Sequence, residues 1–396
     1  MRRFCSFTIF TTALGAVWTV LFAGVFPGNG KAGTFTTYAE TDTFPMPEDT
    51  LKIVIAGDIM LHTAQIENCF ARYAVSHPGA KAEDSQCYDF SPYFIDLKDC
   101  MQAADLCVAN MEFTLAGAPF TGYPAFCAPE SYADYVAHCG VDVFLTANNH
   151  IFDKGPEGAV RTLEVYDRMQ DRGIRHTGCF RDRASILSDW PLIVEIKGTK
   201  IALLNFSYGT NVNLETEYPK VPDMDREALA RAMSWAREKA DFIIALPHWG
   251  IEYKLNHSAS QQEIAEYLVR LGADAIIGSH PHVVQDTTVY DGELSPAGWK
   301  RIPVVYSLGN FISNMSATNT QIGLLVTLPV IRYTDGTCLC GEPGCELTWC
   351  SLPGGLRESH TTIPVKEYLG RRSEWKNPSD YDKMVSTYKR ILEILK

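Results

Sequence analysis

The chain reads as an α/β protein of two mixed sheets with helices on their outer faces, on three observations. From Leu51 onward, short apolar runs alternate with amphipathic segments. Four of those runs end in Asp, Asn or His, which is the wrong chemistry for a continuing core strand but suits a ligand site at strand ends. After Trp190 the wiring changes from strand and crossover helix to a hairpin pattern, which calls for a second sheet. Two sheets covered by helices give a four-layer α/β/β/α sandwich.

The elements follow in order. LKIVIAG, starting at Leu51, is an apolar β-branched run and the first strand. Helices are expected from Thr63 to Val75 and near Pro92 to Ala104, followed by the strand DLCVAN. A helix from Tyr132 to Cys139 leads into VDVFLTAN. Pro156 to Arg172 is amphipathic, with Pro in its first turn and Gly173 just past its end. PLIVEIKGTKIALLNFSY reads as a hairpin turning at Lys197 to Thr199. Helices from Met224 to Lys239 and from Ser258 to Leu271 flank DFIIALPHW, and ADAII is a short buried strand. PHVVQDTTVY, IPVVYSLGNF and IGLLVTL supply further strands. The tail from Ser379 to Lys396 places Tyr381, Met384, Tyr388, Ile391 and Leu395 at helical spacing and is a packing helix.

Composition bounds the rest. At 396 residues, 46% apolar and 21% charged, the chain can bury a large core. A net charge of −12 argues against nucleic acid or anionic lipid as a partner. Arg2 and Arg3 precede an uncharged apolar run from Phe4 to Phe26, an export signal nearer a membrane-spanning length than a cleaved one. The positive charges favour a retained anchor with the bulk of the protein outside, at the cell membrane; cleavage near Ala23 or Ala32 would make it secreted. The expected organisation is a signal anchor or signal peptide over residues 1–27, a flexible linker over 28–50 and a folded domain over 51–330. A Cys-rich strand and loop extension with the C-terminal helix fills 331–396. Twelve cysteines suit an exported protein, and Cys338, Cys340, Cys345 and Cys350 crowd one Gly-rich segment. Without paired CxxC units, a disulfide knot is favoured there over a zinc knot.

The chemistry gathers at the strand ends. GSHPH, Gly278 to His282, sets two imidazoles two positions apart after an apolar strand, with Pro281 stiffening the turn. Asp58 ends IVIAGD, where a metal ligand and a helix cap are equally good readings; His62 lies past the strand tip and is the weaker candidate. Asn110 and Glu112 follow the second strand. Asn148, Asn149 and His150 are too polar for a core and too many for one turn, so an amide oxygen can ligate while the imidazole works as an acid or donor. Asp153 is placed to orient His150 or to cap the next helix, and His248 ends its strand ahead of Trp249. A mixed nitrogen and oxygen set suits Zn, Mn or Fe better than Ca or Mg, and two close ions would fit. No phosphate-binding Gly-rich loop or GxSxG elbow is present, and no cysteine stands in an obvious nucleophile setting.

The ordered motifs GDIML, NMEFTLAG, FCAPE, TANNHIFDKG, NFSYGTN, HWGIEY, GADAIIGSHPHVVQ and YSLGNFI resemble the CapA-type, poly-γ-glutamate capsule synthesis family across Leu51 to Leu328. That family is similar to the calcineurin-like metallophosphoesterases, which implies a metallophosphatase-like sandwich around two metals. The resemblance implies that Asp58 and His282 serve a first metal, that Glu112 bridges, and that Asn149, His248 and His280 serve a second. It makes His150 the catalytic imidazole, with Asp153 behind it. Asn110, Tyr208, Glu252, Tyr253, Ser279 and Asn310 lie within the motifs and are candidates for substrate contact. Met60 stands where phosphoesterases usually carry a His, so the first metal is short of a ligand. The function implied is support for synthesis or export of an anionic polymer, in company with polymer synthetase and transport subunits. A metal-dependent phosphoester or amide hydrolase, a metal-assisted peptide epimerase and a non-catalytic assembly subunit are the alternatives.

Overall fold

Period-2 burial organises the backbone: along the first strand Leu51, Ile53 and Ile55 face one core while Val54 and Ala56 face another. The computed structural model describes residues 44–295 and 297–395. That strand, β1 (Pro47–Ile59), is joined in parallel by β2 (Leu106–Met111), β3 (Val143–Leu145) and β4 (Arg175–Thr177). Helices α1 (Thr63–Ser76), α2 (Lys98–Gln102), α3 (Glu130–His138) and α4 (Gly155–Arg168) make the crossovers, and α5 (Arg183–Asp189) leads out of the sheet.

The expected hairpin is β5 (Leu192–Ile196) and β6 (Thr199–Ser207), and it opens the second sheet. Lys197 and Gly198 both take positive φ, 49° and 76°, the geometry of a tight two-residue hairpin turn. After α6 (Arg226–Lys239) comes β7 (Phe242–His248), and after α7 (Ala259–Arg270) come β8 (Ala275–Ile277), β9 (Thr287–Ser295) and β10 (Gly298–Val305). The order is β5-β6-β7-β8-β10-β9, parallel from β6 to β10 with antiparallel edges.

The chain then returns to the first sheet. β11 (Asn310–Ile312) runs parallel to β1, and β12 (Ile322–Tyr333) runs antiparallel to it. β13 (Cys338–Cys340) and β14 (Gly344–Ser351) both pair with β12, and β15 (Thr361–Pro364) closes the edge. Short α8 (Val365–Tyr368) and long α9 (Pro378–Ile394) end the described chain. Inward residues of both sheets, among them Ile53, Val108, Val326, Leu203, Ile244 and Ile277, share one core. The outer face of the first sheet packs on α1 and α3 through Ile66, Cys69, Tyr132 and Val136. The outer face of the second packs on α6 and α7 through Leu229, Met233, Ile264 and Leu268. Tyr381, Met384 and Ile391 of α9 join the inner core, as their spacing predicts.

Four expectations change. β1 begins at Pro47, which pairs with Tyr333, so the end of the expected linker is strand and the C-terminal extension is integral to the sheet. Between Pro92 and Ala104 only Lys98–Gln102 is helical, because successive turns there bury Tyr93, Phe94 and Leu97. PHVVQDTTVY is a strand only from Thr287, and IPVVYSLGNF splits into β10 and β11 in different sheets. The Cys-rich knot does not form: the eleven described cysteines are free thiols. Register explains why. Cys338 faces the inter-sheet core and Cys350 the opposite face of the same sheet, so the four sulfurs cannot converge. The apolar run from Phe4 to Phe26 lies outside the described residues, among which no helix is long and apolar enough to cross a membrane.

The crossing from β10 to β11 is sterically tight. A Cβ on Gly57 would stand 2.1 Å from Gly309 O, the oxygen that accepts the Asp58 N–H at 3.0 Å. Gly57→Ala is therefore expected to lower the unfolding free energy by about 1–3 kcal/mol in urea titration, the range for overpacking a filled core. Gly344→Ala, whose Cβ would meet Thr327 Cβ at an ordinary 3.5 Å, should be close to neutral.

Candidate metal centre

Both sheets present their carboxyl ends to one region, and the polar strand-end residues meet there. β1 supplies Asp58; β2 supplies Asn110 and, one residue past its end, Glu112; the turn after β3 supplies Asn148, Asn149 and His150. β7 ends in His248, and the loop after β8 carries Ser279, His280 and His282. Asn310 arrives on β11 in register with Asp58. His248 and Ser279 form a bridge that ties the two strand ends together.

Glu112 occupies the centre. Its Oε1 lies 3.8 Å from His282 Nε2, 3.9 Å from His248 Nε2 and 4.0 Å from His150 Nε2. That oxygen is sealed from solvent and has no hydrogen-bond partner, and neither has His280 Nδ1. Orphaned buried acceptors of this kind are costly, and a carboxylate oxygen among imidazole nitrogens is what a cation would satisfy. Two triads, Glu112 with His248 and His280 and Glu112 with Asp58 and His282, each bring their ligand atoms within 4.8 Å of one another. Ligands about 2.0–2.2 Å from a common transition-metal ion stand roughly 3–4 Å apart, so the spacing fits.

The neighbours fix the imidazoles. Asn310 Nδ2 donates to Thr320 O at 3.0 Å, which turns its Oδ1 toward His282 Nδ1 at 3.0 Å. Nδ1 must then carry the proton, leaving Nε2 with a bare lone pair facing Glu112. His248 Nδ1 meets Ser279 Oγ at 3.0 Å and its Nε2 meets Asn149 Oδ1 at 2.9 Å, so that amide oxygen stands beside the second triad. Asn110 Nδ2 donates to Asp58 Oδ1 at 2.7 Å and to Glu112 Oε2 at 3.3 Å. His280 and His282 hold φ of 100° and 57°, left-handed backbone that non-glycine residues adopt only at a cost of about 1–3 kcal/mol each. This is also why the segment after Gly278 cannot extend into a strand.

Burial, then the adjacent Asp58 charge, pushes Glu112 well above the usual carboxylate range. Burial and the His280 charge hold His248 well below the usual imidazole value, and burial and His282 lower His280 to about 3. His282 goes the other way: burial pulls it down, but the hydrogen bond and charge of Asp58 outweigh burial and raise it.

Among the residues anticipated for substrate contact, Tyr208, Glu252 and Tyr253 face outward. Tyr208 lays its ring 4.5 Å from that of His280, while Glu252 and Tyr253 line a cavity of about 490 Å³ above the cluster. Asn110, Ser279 and Asn310 are instead buried behind the ligand set, each bonded to one or more of its members. His150 and Asp153 line the cavity, with Asp153 Oδ2 taking His150 Nδ1 at 2.8 Å and the Phe126 N–H at 2.7 Å. Sequence spacing did not single out Asn211, Tyr123 or Met315, which also line it. Asn211 lies in the NFSYGTN motif, so a signal existed; nothing local marks Tyr123.

Fold and site together define a two-sheet α/β protein with a buried histidine and carboxylate cluster able to hold a metal. The family model of the bacterial capsule synthesis protein PGA_cap matches residues 52–315, more than half of the chain, and the chain belongs to that family. It is 28% identical over 290 residues to the capsule biosynthesis protein CapA of Bacillus anthracis, covering 70% of this chain and 63% of that protein. It is 26% identical over 329 residues to the PGA biosynthesis protein CapA of Bacillus subtilis (strain 168), covering 79% of this chain and 74% of that one. A Staphylococcus aureus crystal structure, provisionally described as a 5'-nucleotidase in complex with alpha-ketoglutarate, aligns with a TM-score of 0.46 at 9% identity. That alignment covers 86% of this chain and 58% of that one.

Two measurements test the centre. Glu112 must be deprotonated to ligate, and its raised pKa makes that harder as pH falls, so zinc affinity should weaken on acidification before ordinary carboxylates titrate. Calorimetry in buffers of different ionisation enthalpy should report proton release on binding. Asn310→Ala, which removes no ligand, should weaken zinc by about 10–100-fold through loss of His282 orientation.

Proposed function

We propose that this protein supports synthesis or export of an anionic capsular polymer of the poly-γ-glutamate type, through chemistry at a centre of two divalent ions of the Zn, Mn or Fe class. Glu112, common to both triads and with its buried Oε1 unpartnered, is the observation that carries it. Asp58 and His282 would hold one ion, Asn149, His248 and His280 the other, and Glu112 would bridge. When bound, such ions supply Lewis-acid polarisation of a substrate oxygen. They would also supply positive charge for an anionic substrate, since no Lys or Arg is among the described residues that line the cavity. The polymer, its synthetase and its transport partners belong to this reading by kinship with the two CapA proteins, as does the metallophosphatase-type sandwich. The apolar run from Phe4 to Phe26 behind Arg2 and Arg3 supports, in the same reading, a domain held outside the cell membrane.

Hydrolysis of a phosphoester or amide is the reaction the geometry favours within that role. Asp153, itself held by the Phe126 N–H, fixes the His150 ring with Nδ1–H toward the carboxyl group, so Nε2 carries no proton; it lies 3.5 Å from Asn211 Nδ2 and faces the cluster from the cavity wall. A base so held can take a proton from water and return it to the leaving group. Met60 lines the cavity where a further imidazole would strengthen the Asp58 triad, so that ion would be held by the smaller donor set.

Metal analysis of the protein purified without chelator should find transition metal, reduced by Asp58→Ala and by His280→Ala. Aryl phosphate hydrolysis by the metal-loaded protein should fall about 10²–10⁴-fold in His150→Ala while metal content stays. Absence of metal from the wild type removes the proposal; metal without hydrolysis leaves an assembly subunit with a structural centre.

A further inference from the structure

A second imidazole on the cavity wall is not used by the ligand set. His62 caps the start of α1, where its backbone N–H donates to Gln65 Oε1 at 2.9 Å. Its ring stands edge-on to Phe126, with centroids 5.1 Å apart, and lines the cavity with His150 and His282. Two groups face its Nδ1, the Asn314 backbone N–H at 3.3 Å and Gln65 Oε1 at 3.3 Å. The Asn314 N–H can only donate and has no other acceptor among the described residues, whereas Gln65 Oε1 keeps the His62 N–H as a partner at 2.9 Å even when Nδ1 carries no proton. Nδ1 therefore accepts, and the neutral ring keeps its proton on Nε2. Nε2 has no hydrogen bond within the described residues and opens on the cavity.

Asn314 lies at the end of the residues that the family model matches, 52–315, and its own support comes from beyond them. Asn314 Oδ1 accepts from Nε2 of His360, a fully buried ring just ahead of β15, at 2.8 Å. Burial keeps both rings neutral, lowering His62 to about 4 and His360 to about 3. In a cavity without Lys or Arg in its lining, an anionic oxygen is held from the protein side by neutral donors, and a ring N–H fixed in place is one of them.

We propose that His62 is a ligand-binding residue of this cavity: its Nε2–H, locked by Asn314, donates to an oxygen of an oxyanion seated against the histidine and carboxylate cluster. The inference rests on the reading that this cavity receives an anionic substrate group over that cluster. The full chain labelled with ¹⁵N-histidine, with and without zinc, tests it by imidazole ¹H–¹⁵N correlation. His62→Gln identifies the His62 signals by their loss. The Nε2–H pattern is expected at neutral pH in both states, and inorganic phosphate should shift that proton. His62→Phe should weaken phosphate binding to the zinc-loaded protein by about tenfold, and His62→Gln, which keeps an N–H, by under about threefold. Zinc affinity should be unchanged in both variants. An Nδ1–H pattern, an unmoved Nε2–H in phosphate, or wild-type phosphate affinity in His62→Phe overturns the proposal. If zinc itself does not bind, the functional reading falls, while the tautomer and the phosphate shift, read without metal, still decide the role of His62.

Discussion

Glu112 sets the terms for the structure around it. A carboxyl group with no exposed surface, one oxygen unpartnered and three imidazole nitrogens within 4.0 Å of it, is tolerable only if something positive settles among them or a proton stays behind. Its raised pKa is the second of these outcomes, and the two triads that share it are the first. Nearly every other polar residue nearby serves to keep this arrangement from collapsing. Asn110 bridges Glu112 to Asp58, Asn310 turns His282, and Ser279 and Asn149 clamp His248 at its two nitrogens.

Holding such a cluster requires both sheets, and the chain meets that demand with a crossing. After β10 it leaves the second sheet, turns at Gly309 with a φ of 65°, and enters the first as β11 beside Asp58. Gly57 makes room for it. The same passage brings Asn310 to His282, so the step that joins the sheets also orients an imidazole of the candidate centre. The left-handed backbone at His280 and His282 stores strain that the surrounding packing sustains, a pattern common where side chains are held for binding. Beyond the family match, β14, β15 and α9 thicken the first sheet, and His360 reaches back to the cavity wall through Asn314.

Much of this was legible residue by residue. Asp58, Glu112, Asn149, His248, His280 and His282 were marked by being polar at the ends of apolar runs, and all six come together. The burial of Asn110, Ser279 and Asn310 behind the cluster was not legible, because an amide or hydroxyl bonded to a buried side chain has the same local sequence as one that lines a cavity. Cysteine crowding misled for a related reason: spacing along a strand carries no sign of which face each sulfur takes once register is set, and Cys338 and Cys350 take opposite ones.

By itself, then, the sequence determined the α/β wiring, the hairpin at Lys197 and Gly198, the packing helix at the C-terminus and the residue types that can bind metal. These depend on period, turn chemistry and donor atoms, which are local properties. Tertiary structure alone decided that two sheets converge on Glu112, that IPVVYSLGNF divides between them, and which nitrogen of His62 and His282 is free. Those outcomes depend on contacts between residues up to 252 positions apart, such as His62 and Asn314, and no local pattern encodes them.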